Sequence, residues 1–288
     1  MKDFTDKVSV ITGAAGGIGS ALAFELAGKG SHLALCDVDE TALSAVAESL
    51  KESGVKVTTH VLDVTKKSQF SRVYKDILKS HSKVNLVINN AGITLQKSFN
   101  NHSIKDLERM ININLWGVVY GCHFFKDALA DAAETDEAHV VNLSSMAAFA
   151  GFPNQSSYVF TKMAVQGLSD TLWAEWSTKG IGVTSVHPGA IRTNIMLATL
   201  NESDNLDAAK RNLKMAMKNA TPPEDAARMI VDAISKNKKR LLIGKDAKIL
   251  NFLAWIAPGL VNWLMKLIAR KNQRDYEAYL AKNAQAGE

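Results

Sequence analysis

Short apolar runs alternate with longer amphipathic stretches along most of the chain. Runs of strand length occupy Val8 to Thr12, His32 to Cys36, Val57 to Leu62, Leu86 to Asn89, Val140 to Leu143, Val183 to His187 and Leu241 to Ile243. Helical spacing of apolar positions covers Gly19 to Gly28, Thr41 to Ser53, Lys67 to Lys79, Ile104 to Ala130, Ser157 to Lys179 and Pro223 to Lys236. Repeated strand then helix predicts an α/β protein, a doubly wound parallel sheet with helices on both faces. Leu86 to Ile88 carries no polar alternation, as a strand covered on both sides requires.

The pattern changes after residue 245. Residues 249 to 269 are apolar enough to resemble a membrane span, but Asn251, Asn262, Lys266 and the central Pro258-Gly259 break it, so two short helices are expected. In the second, Leu260, Trp263, Leu264, Leu267 and Ile268 share one face, and Asn262, Lys266 and Arg270 lie on the other. The division read from these patterns is one domain over residues 1–245, with a methionine-containing insert over 194–219 as a substrate lid, and an amphipathic helical extension over 246–288. Met196, Met215 and Met217 of the insert suit either a pocket wall or ordinary core, and single methionines at helical spacing favour core.

Composition adds limits. At 47% hydrophobic and 22% charged residues the chain is ordered and globular, neither fibrous nor disordered. Net charge is +5, yet residues 236–274 hold ten Lys/Arg against the single acid Asp246. Such a segment can meet anionic lipid, or it can pack on the lid or on another subunit, as amphipathic helices of globular proteins ordinarily do. Nucleic acid is not expected, because the lysines do not interleave with base-stacking aromatics. The histidines show no HExxH or paired spacing, so no metal is expected. Cys36 and Cys122 sit in apolar contexts, and the first residues, which enter a strand almost at once, do not resemble a cleavable secretion signal. The expectation is a cytoplasmic protein, with peripheral membrane contact through 249–271 as the further option.

Candidate chemistry gathers at strand ends. The first strand runs into Gly13-Ala14-Ala15-Gly16-Gly17-Ile18-Gly19 and then straight into a helix. A glycine-rich strand-to-helix turn lets backbone approach a pyrophosphate at a helix N-terminus, which points to a Rossmann-like fold. Asp37 closes the next strand about 20 residues on, where a carboxylate accepts from the adenosine ribose and repels a 2′-phosphate. With no basic partner at Ala14, Ala15 or Val38, NAD(H) is preferred over NADP(H). The plainer alternative makes Asp37 and Asp39 a strand-ending turn and a helix cap. Asp63 and Val64 follow the third strand, and Asn90, Ala91 and Gly92 the fourth, on the same edge.

Tyr158 and Lys162 stand one helical turn apart, so the ammonium can act on the phenol and pull its pKa down toward acid/base range. Ser145 follows a strand thirteen residues before Tyr158 and can hydrogen-bond a substrate oxygen. Taken with Gly13 to Gly19, Asn89-Asn90-Ala91-Gly92 and Pro188-Gly189-Ala190-Ile191-Arg192-Thr193, this order and spacing resembles the short-chain dehydrogenase/reductase family over roughly residues 5 to 245.

The resemblance implies a catalytic tetrad of Asn114, Ser145, Tyr158 and Lys162, with Asn114 helping to hold a water beside the lysine. It further implies that Lys162 reaches the nicotinamide ribose and that Pro188, Gly189, Ile191 and Thr193 line the nicotinamide side. Gly13, Gly16, Gly17, Ile18, Gly19, Asp37, Asp63, Val64, Asn90, Ala91, Gly92 and Tyr158 complete the implied cofactor contacts. The expected reaction is hydride transfer between NAD(H) and a secondary alcohol or ketone, with an apolar, bulky substrate suggested by the greasy C-terminal region. Homodimers or homotetramers are implied as well. The rival readings are a catalytically silent NAD-sensing protein and an NADP-linked lipid carbonyl reductase.

Overall fold

The computed structural model describes residues 1–195 and 197–286. Seven strands pair in parallel: β1 (Val8–Thr12), β2 (His32–Asp37), β3 (Val57–Val61), β4 (Leu86–Asn89), β5 (Ala138–Leu143), β6 (Ile181–Pro188) and β7 (Arg240–Ile243). Their order across the sheet is β3-β2-β1-β4-β5-β6-β7. The order reverses between β1 and β4, and a crevice at the carboxyl ends of these strands is where such sheets bind ligands.

Alternate side chains of each strand feed two cores. Ile11, Leu33, Leu35, Leu86 and Ile88 pack on one face against α1 (Gly17–Ala27) and α8 (Pro223–Ser235). Val10, Ala34, Cys36, Val87 and Val140 pack on the other against α3 (Lys67–His81), α5 (Gly117–Thr135) and α6 (Ser156–Ser177). Burial on both faces accounts for the apolar run Leu86 to Ile88 of β4 and for the lack of a solvent-facing alternation in β1 and β5, whose Ser9, His139 and Asn142 are buried too. The remaining helices are α2 (Glu40–Ser49), α4 (Ile104–Ile111), α7 (Leu206–Lys218), α9 (Lys245–Ile256) and α10 (Pro258–Ala286).

Three expectations need correction. The stretch Ile104 to Ala130 is not one helix: α4, capped by a Ser103/Asp106 box, passes through a π-helical turn at Asn112–Trp116 before α5 begins. The turn swings Asn114 inward, a common use of such irregularities. After the break at Ala257, the second C-terminal helix is long, running 29 residues. The apolar face of that helix is not buried on the lid either. α10 turns Val261 inward, with Met265, Ala269, Asn272 and Tyr276 partly covered, while Leu260, Trp263, Leu264, Leu267 and Ile268 stay exposed. Two polar contacts join the 194–219 segment to α10: Arg211 pairs with Asp275, and the Asn205 side-chain amide donates to the Asp275 carbonyl. No described helix is long and apolar enough to cross a membrane.

Candidate active site

β1 delivers its glycine turn against the end of β4. Gly13 has φ +68°, and a Cβ there would lie 2.8 Å from the Ala91 Cα, so only glycine fits without strain. A Cβ on Gly19 would overlap the Gly13 carbonyl. Asn90 clamps the turn: its Nδ2 donates to the carbonyls of Thr12 and Gly13 at 3.0 Å each, and the Asn90 and Ala91 amides donate to Thr12 Oγ1 at 3.1 Å. Gly16, the N-cap of α1, has no side chain to close the helix end, so the first-turn amides are available to an anion.

A cavity of about 670 Å³ lies over this turn, bounded by Gly13, Gly16, Gly17, Ile18, Asp37, Asp63, Val64, Asn90, Ala91, Gly92 and Thr193 among others. Asp37 Oδ2 accepts from the Ala15 amide at 2.9 Å and Oδ1 from the Asp39 amide at 3.1 Å. Asp39 caps α2 through the Ala42 amide. The turn-and-cap reading of this pair is thus seen directly, and both carboxylates also line the cavity. No lysine or arginine stands among the described lining residues. Asn90 reaches the cavity, but its carboxamide is committed beneath the turn.

The residues expected to be catalytic converge at the ends of β5 and α6. Lys162 is buried, and its Nζ donates to the Leu143 carbonyl at 2.8 Å and lies 5.7 Å from the Tyr158 ring centre. Burial holds its ammonium down to about 8. A Cβ on Gly92 would meet Asn114 Oδ1 at 3.2 Å and Lys162 Nζ at 3.5 Å, which places these three groups side by side. Asn114 clasps Ile93, accepting from its amide and donating to its carbonyl at 2.9 Å each.

The Tyr158 phenol departs from expectation. Burial pushes its pKa up, opposed by the neighbouring Ser145 hydroxyl, and no pull from Lys162 outweighs the cost of burying a phenolate. Ser145 is itself fixed: its Oγ accepts from the Ala147 amide at 3.1 Å, and its carbonyl meets His187 Nδ1 at 3.1 Å.

A second cavity, about 1110 Å³, opens beyond Ser145 and Tyr158 and is walled by Thr94, Met146, Phe152, Gly189, Met215 and Ile249, among others. Met215 is 71% exposed and forms this wall, so it is not core; Met196 lies outside the described residues. Two further polar ties hold the 194–219 segment, to other elements than α10: Glu202 pairs with Arg109 at 2.6 Å, and Asp204 accepts from the Ser98 amide at 2.6 Å. Of the expected cofactor contacts, Gly19, Lys162, Pro188 and Ile191 line neither cavity. Ile191 packs on the core and bridges Thr221 through its backbone.

A short chain dehydrogenase family model matches residues 7–204. The chain belongs to the short-chain dehydrogenase/reductase family. SadH of Mycobacterium tuberculosis, named as an oxidoreductase, is 34% identical over 261 residues, covering 89% of this chain and 92% of that protein. A Burkholderia phymatum short chain dehydrogenase/reductase in complex with NAD superposes with a TM-score of 0.78 at 29% identity, covering 84% of this chain and 90% of the other. Levodione reductase gives 0.75 at 27% identity, over 84% and 97%.

Within this short-chain dehydrogenase/reductase frame, several supporting residues escaped sequence reading. Asp246, from the first turn of α9, accepts from the Ala190 amide at 2.8 Å and fills the space beside Gly189 and Gly244. Thr12 ties the glycine turn to β4, and Ser144 Oγ donates to the Lys162 carbonyl at 2.8 Å. A glycine next to a strand end was the one available signal for Asp246, and it names no partner.

Proposed function

We propose that this oxidoreductase transfers hydride between NAD(H) and a secondary alcohol or ketone carrying a bulky, apolar substituent. The observation that carries the reading is the placement of Ser145 and Tyr158 on the wall of the larger cavity, while Gly92 and Thr193 of the dinucleotide cavity continue directly into Thr94 and the 189–195 segment. The glycine turn fits a pyrophosphate, with open amides at the α1 N-terminus and no Cβ to obstruct approach. Asp37 would accept from a ribose hydroxyl, and with Asp39 beside it the adenosine end disfavours a 2′-phosphate. NAD(H), when bound, supplies or takes up the hydride.

The chain's own residues handle the proton. Tyr158 Oη gives a proton to the carbonyl oxygen in reduction and recovers it in oxidation. The raised pKa keeps the phenol protonated, which suits the donor role. Ser145 Oγ orients the same oxygen and stabilises charge that develops on it. Lys162, held by the Leu143 carbonyl, keeps a positive charge beneath the phenol, and Asn114 positions the Ile93 backbone next to it. Phe152, Met146 and Met215 exclude water and favour an apolar substituent. The test follows NADH absorbance with ketones graded in size and polarity. Turnover that rises with apolar bulk supports the reading; turnover confined to small polar ketones contradicts it.

A further inference from the structure

The outward face of the C-terminal helices has no partner among the described residues. Phe252 and Trp255 of α9 and Leu260, Trp263 and Leu267 of α10 are all exposed, Trp255 to 80% and Trp263 to 55%. Lys248, Lys266, Arg270, Lys271 and Arg274 surround them and are exposed. Among the described residues, the ion pairs of the basic segment use Lys236, Lys238, Lys239 and Arg240, and leave these five open. The single acid of the segment, Asp246, is occupied by the Ala190 and Ala247 amides.

From this we infer that the α9–α10 face docks on an anionic phospholipid bilayer, lying in its interface without crossing it. Charge selects the occupant. An isologous contact between two copies would set one strongly basic segment against another, which repels. Lipid phosphates and acidic headgroups neutralise the same charges, and exposed tryptophans beside lysines and arginines suit the boundary between headgroups and acyl chains. The exposed Ile249 belongs to this patch and also to the wall of the larger cavity, as does Lys248. The cavity therefore opens at the docking face, and an apolar ketone or alcohol dissolved in the bilayer would enter without crossing water. That route rests on the proposed reaction; the docking itself does not.

The experiment is co-sedimentation of the full chain with vesicles of phosphatidylcholine alone or with phosphatidylserine added, without cofactor or substrate, alongside sedimentation velocity. Trp255→Ser/Trp263→Ser and Lys266→Glu/Arg270→Glu double variants are compared, and thermal melting checks that they fold. The expected result is binding to the anionic vesicles only, weakened by high salt and reduced roughly tenfold or more in either double variant. Absence of wild-type binding overturns the inference, as does binding that the variants leave unchanged. Loss of an oligomer in the variants, without vesicle binding by the wild type, assigns the face to a subunit contact instead. Vesicle binding without ketone turnover would leave docking standing and remove the proposed reaction.

Discussion

The Asp246 carboxylate holds the Ala190 amide at 2.8 Å, joining the first turn of a C-terminal helix to the loop that lines the larger cavity. A Cβ on Gly189 would collide with that carboxylate, so the contact is close on both sides. Asp246→Ala removes the acceptor and frees the loop. Turnover with any accepted ketone should fall roughly tenfold or more, since small displacements of positioned groups are costly. Asp246→Asn keeps an acceptor and should recover part of the loss. Equal kcat/KM in wild type and Asp246→Ala would remove Asp246 from the positioning machinery.

Asp37→Asn keeps an oxygen for the Ala15 amide and removes the charge. The ratio of NADPH to NADH affinity, measured by fluorescence titration, should move toward NADPH by roughly tenfold or more. An unchanged ratio would mean that the carboxylate does not face the 2′ position.

Gly121 of α5 packs so closely on Asn89 that a Cβ would overlap its carboxamide. Asn89 donates to Asn142 at 2.8 Å, and Asn142 to Ser169 at 3.0 Å, forming a buried polar chain beneath the sheet. Gly121→Ala should lower unfolding stability by about 1–3 kcal/mol in urea, although alanine is the better helix former by about 1 kcal/mol. A stabilised variant would show that the helix can move away at little cost.

His139 and His187 are fully buried, and burial holds them down to about 3 and about 4 against an ordinary 6.5. Below pH 6.5 the unfolded chain takes up protons that the folded chain refuses. Their contribution is therefore complete above that pH and is lost as pH falls toward the folded values. At pH 5 each costs roughly 2 kcal/mol. Tm should drop between pH 7 and pH 5, and His139→Gln should flatten the slope. An unchanged slope in that variant would exclude His139 as a contributor.

The strands were legible because residues such as Leu86 to Ile88 are covered on both faces, and nothing else suits that position. The glycine turn and the Tyr158–Lys162 spacing were legible because each is local. The break at Asn112–Trp116 was not, since apolar periodicity runs through it and the hydrogen bonds that hold Asn114 there reach Ile93, 21 residues away. Asp246 was hidden for the same reason: its partner lies 56 residues away along the chain. The Tyr158 pKa was misjudged because spacing reports a nearby ammonium but not the burial that opposes it. The exposed face of α10 illustrates the reverse limit, as the pattern defines an apolar stripe without saying what covers it.

Tyr158→Phe tests the proposed reaction most directly. Tyr158 does not line the cavity over the glycine turn, so NADH affinity by fluorescence titration should stay within a few-fold of wild type. Ketone-dependent NADH oxidation by the same preparation should fall by roughly 10²–10⁴. Turnover retained near the wild-type rate, with NADH still bound, would contradict the assignment of Tyr158 as the proton donor.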